Sequence, residues 1–551
     1  MNNNRFFSSP RFWYVLIGLA FILTRVFAWH NTTILEDHDS VSYLNDMKTI
    51  LSLNWDAIKN LSPDSTPVYP MLGALFNIPG WPTEVGARLA SLFASTLLFI
   101  FIILLGRKIA NPIEIGFALL LLALHPFYIP FSNSILTEPA YVSVVYAGFL
   151  LFFIQYKKPA PLKGLLLGII FGICFLTRTE GILFLAAIPF FQVIHFVFDK
   201  TKEYNFRKFL IWGCLFVIGF GLISLPQVWR VSQKMGRLAI NGRQVWELIL
   251  NNPDGKVYEH KIYGLDYSPS EINLQYIQSH AEKIQAFESS MKIREFVKLF
   301  IKNFDDLYQN QLGVLIGPLG LIFCGFGVLA LFRHGRFFDL FYVLAFVGAG
   351  LFAPLIHDVE MRHIAVIGPI LFLLTGIGIT YASKLAFESI QIKRKTIFNS
   401  KNLSLTFVAV LLVCVANPVW QGMHPPDFNY DYNINDLKEP LAVIHSGKNH
   451  NDGSLSIVAR KAFLAYYANA TAYFLPYTDY AGLVRYCDLN DVDYVYLQHN
   501  LVYKFPFADR FKNIDTPDFE LVYSNNKIQG LIQLFKFKEN SEFKRNLISK
   551  E

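Results

Sequence analysis

Residues 85–131 read VGARLASLFASTLLFIFIILLGRKIANPIEIGFALLLLALHPFYIPF. Two apolar runs, 85–105 and 113–131, meet at a short polar joint that carries Arg107 and Lys108. Each is close to the roughly 20 apolar residues that cross a hydrocarbon core. A hairpin of this kind, with its Lys and Arg in the joint, places that joint on the cytoplasmic face. The pattern continues in both directions. Further runs lie at 12–29, 139–156, 163–177, 181–198, 209–228, 311–332, 338–356, 363–382 and 403–419, with 163–177 and 403–419 the shortest for a span. The expected fold class is therefore an α-helical polytopic membrane protein of about eleven transmembrane helices. The first run has Arg5 and Arg11 ahead of it, as a signal peptide would. Arg25 near its end and the bulky Trp29-His30 beyond argue for a retained helix.

Composition agrees. Of 551 residues 53% are hydrophobic and only 17% charged, against about a quarter in soluble proteins. Mean hydropathy is +0.34. The net charge of +7 sits mostly in loops beside apolar runs and forms no basic stripe with a matching motif, so nucleic acid is not an expected partner. Cys174, Cys214, Cys324 and Cys414 fall inside apolar runs and Cys487 stands alone, so neither a disulfide framework nor a zinc site is expected.

Basic residues cluster at Arg107-Lys108, Lys157-Lys158, 200–208, Arg333 with Arg336, and 384–401, all on one side. The opposite short loops, 132–138, 178–180 and 357–362, hold only Arg178 and Arg362. This bias puts the N-terminus in the cytoplasm, and an odd number of spans puts the C-terminus outside. Three long polar segments, 30–84, 229–310 and 420–551, then fall on the outer side. Residues 1–424 are expected to form the membrane domain, with outer loops 30–84 and 229–310. Residues 425–551 are expected to form a small α/β domain, with strands near 456–459, 493–497 and 530–537 and a helix near 481–486.

Ionisable groups near membrane depth are costly and tend to be functional. After the first span comes Glu36-Asp37-His38-Asp39-Ser40-Val41-Ser42-Tyr43. Crowded carboxylates raise one another's pKa or attract a cation, and a carboxylate beside a hydroxyl can serve as general base. A solvated acidic loop with Asp39 capping a helix over 40–51 accounts for the same residues. Glu138, in Leu136-Thr137-Glu138-Pro139, opens the fourth span, where a capping role is equally open. Leu176-Thr177-Arg178-Thr179-Glu180-Gly181 and His357-Asp358-Val359-Glu360-Met361-Arg362-His363 form two further outer turns. Arg178, Arg362 and Arg25 present guanidinium groups suited to a phosphate, or to lipid headgroups by snorkelling. Arg88 opens the second span, where its charge opposes the helix dipole and calls for a carboxylate or phosphate partner.

The order of these motifs resembles that of the C-type membrane glycosyltransferases. It runs from Asp39-x-x-x-Tyr43 through Pro67-Val68-Tyr69-Pro70, Ala87-Arg88, Leu136-Thr137-Glu138 and Leu176-Thr177-Arg178-Thr179-Glu180-Gly181 to Arg362. Within that group it is similar to the family 39-like bacterial relatives of the dolichyl-phosphate-mannose protein mannosyltransferases and to the lipid A aminoarabinose transferase. Ala465-Tyr466-Tyr467-Ala468 and Leu475-Pro476 extend the resemblance into the outer domain. The resemblance implies an inverting transfer of a sugar from a polyprenyl-phosphate donor to an acceptor hydroxyl on a lipid, lipopolysaccharide, glycan or protein, in a bacterial inner membrane with a periplasmic C-terminal domain. Asp39 would be the base, with Asp37 or Glu138 assisting. Arg178, Arg362, Arg25 and Arg88 would hold the departing phosphate, and Tyr43, Tyr69 and His363 would position substrate. Metal dependence varies in the superfamily, and no metal ligand is assigned here. One departure stands out: Ser40 follows Asp39 where the protein mannosyltransferases tend to carry Asp-Glu, which counts against protein O-mannosylation.

The alternatives are a transporter or flippase of envelope lipids, a noncatalytic envelope protein, and a polysaccharide ligase or polymerase using lipid-diphosphate donors. Transporters place charges and broken helices near mid-membrane, often in repeated halves. These spans are nearly free of mid-span Asp, Glu or Lys, and no halves recur.

Overall fold

The computed structural model describes residues 10–31, 38–59, 61, 65–198, 206–235, 238–240, 293–356, 359–391, 434–446 and most of 455–538. The expected eleventh span, the domain boundary near 424 and Asp37 lie outside the described residues.

The chain runs through α1 (Pro10–Asn31), α2 (His38–Leu51), α3 (Trp55–Lys59), α4 (Val68–Leu75), α5 (Thr83–Ile109), α6 (Pro112–Leu124), α7 (Tyr128–Phe131), α8 (Glu138–Gln155), α9 (Pro161–Thr177), α10 (Leu183–Phe198) and α11 (Phe206–Met235). Further along the chain come α12 (Ile293–Asp306), α13 (Leu312–Arg333), α14 (Phe337–Ile356), α15 (Met361–Ile364) and α16 (Gly368–Gln391). Among the described residues, eight helices are long and apolar enough to cross a membrane; α6 and α9 are shorter apolar helices.

Local chemistry sets several of these boundaries. Asn111 caps α6: its side chain accepts from the Ile113 and Glu114 amides, and the Glu114 carboxylate accepts from the Asn111 amide at 2.7 Å, with Pro112 in the first turn. The helix stops at His125 because Pro126 forces the preceding residue into an extended conformation. The expected run 113–131 is therefore two helices, α6 and α7. The expected run 363–382 likewise divides, α15 standing apart from α16. The expected run 311–332 is preceded by α12 and a π-turn over Leu307–Gln311, and it kinks at Gly317, whose φ of 71° suits only glycine, followed by Pro318. His125 serves this kink, its Nε2 lying 2.7 Å from the Leu315 carbonyl.

Close backbone packing joins α9 to α11. A Cβ at Gly168 would overlap the Phe216 carbonyl, and one at Gly164 would lie 2.7 Å from the Trp212 carbonyl. Small residues four apart let two backbones meet where dispersion, not the hydrophobic effect, holds helices together. This contact fixes α9, and with it the outer turn that follows.

The C-terminal domain comprises α17 (Ile434–Ser446), β1 (Ser456–Ala459), α18 (Phe463–Ala468), β2 (Thr471–Phe474), α19 (Tyr480–Leu489), β3 (Tyr494–Gln498), β4 (Phe519–Lys527) and β5 (Gly530–Phe537). The sheet order is β2-β1-β3-β5-β4, parallel at β2-β1-β3 and antiparallel at β3-β5-β4. Strands β1 and β3 are buried along their whole length, because both faces are covered. Leu483, Val484, Phe507 and Phe511 cover one face. On the other, Ile457, Tyr494, Tyr496 and Leu534 share a core with Phe463 and Leu464, and that core continues into Val41, Leu44 and Met47 of α2 and Ala87 and Ala90 of α5.

Candidate functional site

Four chain-distant segments bring ionic side chains to one set of helix ends. Asp39 lies in the first turn of α2. Glu138 is the first residue of α8, with Pro139 beside it in the first turn. Arg178 caps the end of α9 in an extended conformation and leads into a single 3-10 turn, Thr179–Ile182. Arg362 belongs to α15, between α14 and α16.

These residues form a chain of alternating charge. Arg178 Nε and Nη2 donate to Glu180 Oε1 at 3.2 and 2.6 Å, and Nη1 donates to Glu138 Oε1. Arg362 Nε donates to Glu360 Oε2 at 2.6 Å and lies 3.9 Å from Glu138 Oε1. Arg362 Nη1 lies 3.8 Å from Asp39 Oδ2. Glu138 is almost wholly buried (side chain 3% exposed), whereas Arg362 and Asp39 are about a quarter exposed (24% and 26%). Burial alone would weaken the basicity of Arg178. The Glu138 and Glu180 carboxylates outweigh it and hold the guanidinium charged.

The structure brings together Asp39, Glu138, Arg178 and Arg362 from the expected set. Tyr43 joins them, buried and within electrostatic reach of Arg178. His363 follows Arg362 and lies within reach of Glu180. Arg88 is buried near the outer end of α5.

Two of the expected residues stand apart from this cluster. Arg25 is fully buried and points at the end of α6, where its guanidinium donates to the carbonyls of Leu122, Ala123 and Tyr128 and to Thr24 and Ser132. There it caps a helix end. Tyr69 is also buried. Its hydroxyl lies 3.0 Å from the Ala87 carbonyl and Ser91 Oγ and 3.3 Å from the Ser134 carbonyl, so it pins α4 to α5 and to the loop before α8. Sequence reasoning passed over Glu180 and Glu360 as partners. The available signal was the Arg-x-Glu and Glu-x-Arg spacing, which a turn can fold into a pair.

A second network lies on the same side. Ser65 Oγ donates to Asp46 Oδ2 at 2.5 Å, Gln227 donates to the Ser65 carbonyl, and Arg230 and Lys234 donate to the Leu61 carbonyl. Burial, opposed by the Ser65 hydrogen bond and by Arg230, pushes the Asp46 carboxyl up to about 6. This network fastens the first outer loop to the end of α11.

Residues 64–229 match the family model described as dolichyl-phosphate-mannose-protein mannosyltransferase. No curated protein matches the chain. Among solved structures, the apo oligosaccharyltransferase of Archaeoglobus fulgidus aligns with a TM-score of 0.58 at 11% identity, covering 96% of this chain and 74% of that one. ArnT from Cupriavidus metallidurans, bound to undecaprenyl phosphate, aligns with a TM-score of 0.55 at 11% identity, covering 96% and 98%. At these identities the likeness shows the fold: the chain shares the polytopic fold of these two proteins. Within that fold, the ion-pair chain occupies adjoining ends of α2, α8, α9 and the α14–α16 connection. Among the described residues, no three His, Cys, Asp or Glu side chains converge as metal ligands.

Proposed function

We propose that this protein is a membrane glycosyltransferase that moves a sugar from a polyprenyl-phosphate donor to an acceptor hydroxyl at the outer membrane face. The observation that carries this reading is the convergence of Asp39, Glu138, Arg178 and Arg362 from four segments at one set of helix ends. A lipid-linked donor has its tail in the bilayer, so its phosphate reaches such a site at the membrane surface. The C-type fold and the matched family model support the same class. Two of the neighbours were solved with undecaprenyl phosphate and with dolichol-phosphate plus an inhibitory peptide.

In this mechanism Asp39 accepts the acceptor's proton as its oxygen attacks the anomeric carbon. The new C–O bond forms on the face opposite the phosphate, giving inversion. The breaking C–O bond leaves its electron pair on the polyprenyl phosphate. Arg362 holds that phosphate, exchanging its contact with Glu360 for a bidentate phosphate contact. Arg178 is tied to two carboxylates and anchors Glu138. The acceptor is a lipid, lipopolysaccharide or other glycan, in keeping with Ser40 after Asp39.

The test is transfer of labelled sugar from polyprenyl-phosphate donors in liposomes. Asp39→Asn keeps the shape but cannot take the proton, so turnover falls by about 10²–10⁴-fold. Near-normal turnover in a folded Asp39→Asn protein sinks the mechanism.

A further inference from the structure

We infer that Glu180 is a positioning residue for the transfer reaction, acting through Arg178 on Glu138; this rests on the transferase function proposed above. Glu180 lies in a turn with little freedom. The Arg178 amide donates to the Cys174 carbonyl at 2.9 Å, and the Gly181 amide donates to the Arg178 carbonyl at 2.9 Å. A Cβ at Gly181 would stand 2.5 Å from the Phe175 amide nitrogen, so the turn sits directly on the last turn of α9. From that support, one oxygen of Glu180 receives both Nε and Nη2 of Arg178, which fixes the plane of the guanidinium.

With that edge held, Nη1 is the end aimed at Glu138 Oε1. The same oxygen of Glu138 is the one that Arg362 approaches at 3.9 Å, and Arg362 in turn stands 3.8 Å from Asp39. Glu180 is thus the far end of a chain whose near end is the proposed base. Removing it frees the torsions of a long side chain. Arg178 can then swing, Glu138 loses its fixed partner, and Arg362 redistributes between Glu138 and Asp39. The reacting groups lose alignment, while the donor's own phosphate contact with Arg362 persists. The effect belongs in turnover and not in donor affinity.

The experiment measures kcat and donor KM for wild type, Glu180→Ala, Glu180→Gln, Glu138→Gln and the double variant Glu180→Ala/Glu138→Gln, each checked for folding by size exclusion and thermal unfolding in detergent. Glu180→Ala lowers kcat about 10-fold with donor KM nearly unchanged. Glu180→Gln, which keeps an acceptor oxygen for Arg178, recovers part of the loss. Because Glu180 acts through Glu138, the double variant is no slower than Glu138→Gln alone. Should Glu180→Ala fail to fold, the isosteric Glu180→Gln carries the same cycle. Unchanged kcat in the Glu180 variants, or losses that multiply in the double variant, overturn the inference alone. A folded wild-type protein that transfers no sugar from polyprenyl-phosphate donors overturns it together with the proposed function.

Discussion

The ammonium of Lys48 lies 3.9 Å above the ring of Tyr466, joining α2, whose first turn holds Asp39, to the C-terminal domain. Tyr466 also lies within electrostatic reach of Glu84 at the start of α5, and the apolar core beneath runs without a break from the sheet into α2. Among the described residues, the C-terminal domain contributes none of the ion-pair chain, yet it packs against the helix that presents the proposed base.

Tyr466→Ala therefore loosens α2. A cation–π contact is worth about 0.5–1 kcal/mol at a part-exposed site. Hydrogen exchange across 38–51 accelerates in Tyr466→Ala. Tyr466→Phe keeps the ring under Lys48 and shows a smaller change. Equal exchange in wild type and Tyr466→Ala would show that the domain does not brace α2.

Arg25 acts on stability. Replacing it with Leu leaves the Leu122 and Ala123 carbonyls without their buried donor, at a cost of about 1–3 kcal/mol for each group. Thermal unfolding in detergent shifts down by several degrees, while donor KM in the surviving folded fraction stays at its wild-type value. A raised KM at unchanged stability would restore Arg25 to phosphate binding.

Arg362 and Arg178 separate kinetically. Arg362→Lys replaces a planar fork with a point charge and loses bidentate phosphate recognition, so donor KM rises by about 10-fold. Arg178→Lys keeps the charge between Glu138 and Glu180 but not the fixed plane, and it lowers kcat instead. The opposite assignment of KM and kcat effects would exchange the two roles.

Asp46 makes stability depend on pH. Its carboxyl is raised to about 6 in the folded protein, above its unfolded value. The stability linked to its protonated form is fully present below the unfolded pKa and is lost as pH rises through about 6. Asp46→Asn cannot ionise. Its stability relative to wild type therefore improves between pH 4 and pH 8, by about 3 kcal/mol at most. A difference independent of pH in paired melting curves would show that Asp46 keeps an ordinary pKa.

Orientation has a direct check. Reporter fusions at Lys108, Lys202 and Lys393 read cytoplasmic, and fusions at Asn133, Lys261 and beyond residue 430 read outside. A cytoplasmic C-terminus would remove the apolar run 403–419 from the set of spans.

What the sequence determined by itself is whatever depends on local composition and period. Apolar runs of spanning length define the membrane helices, because no other structure satisfies the backbone in hydrocarbon. The strand-forming run at 456–459 and the alternation at 530–537 are equally local, and both segments are strands in the structure. Candidate groups were legible as polar residues at helix mouths, which is how Asp39, Glu138, Arg178 and Arg362 came to attention. Only the tertiary structure decided which of them meet. Arg25 and Arg362 look alike in sequence, each a guanidinium near an outer helix end. One faces the open carbonyls of α6, while the other faces Asp39 and Glu138 from distant segments. Where α6 ends, how closely α9 lies on α11, and which carboxylate a guanidinium reaches are consequences of packing among non-adjacent segments, and no window of sequence contains them.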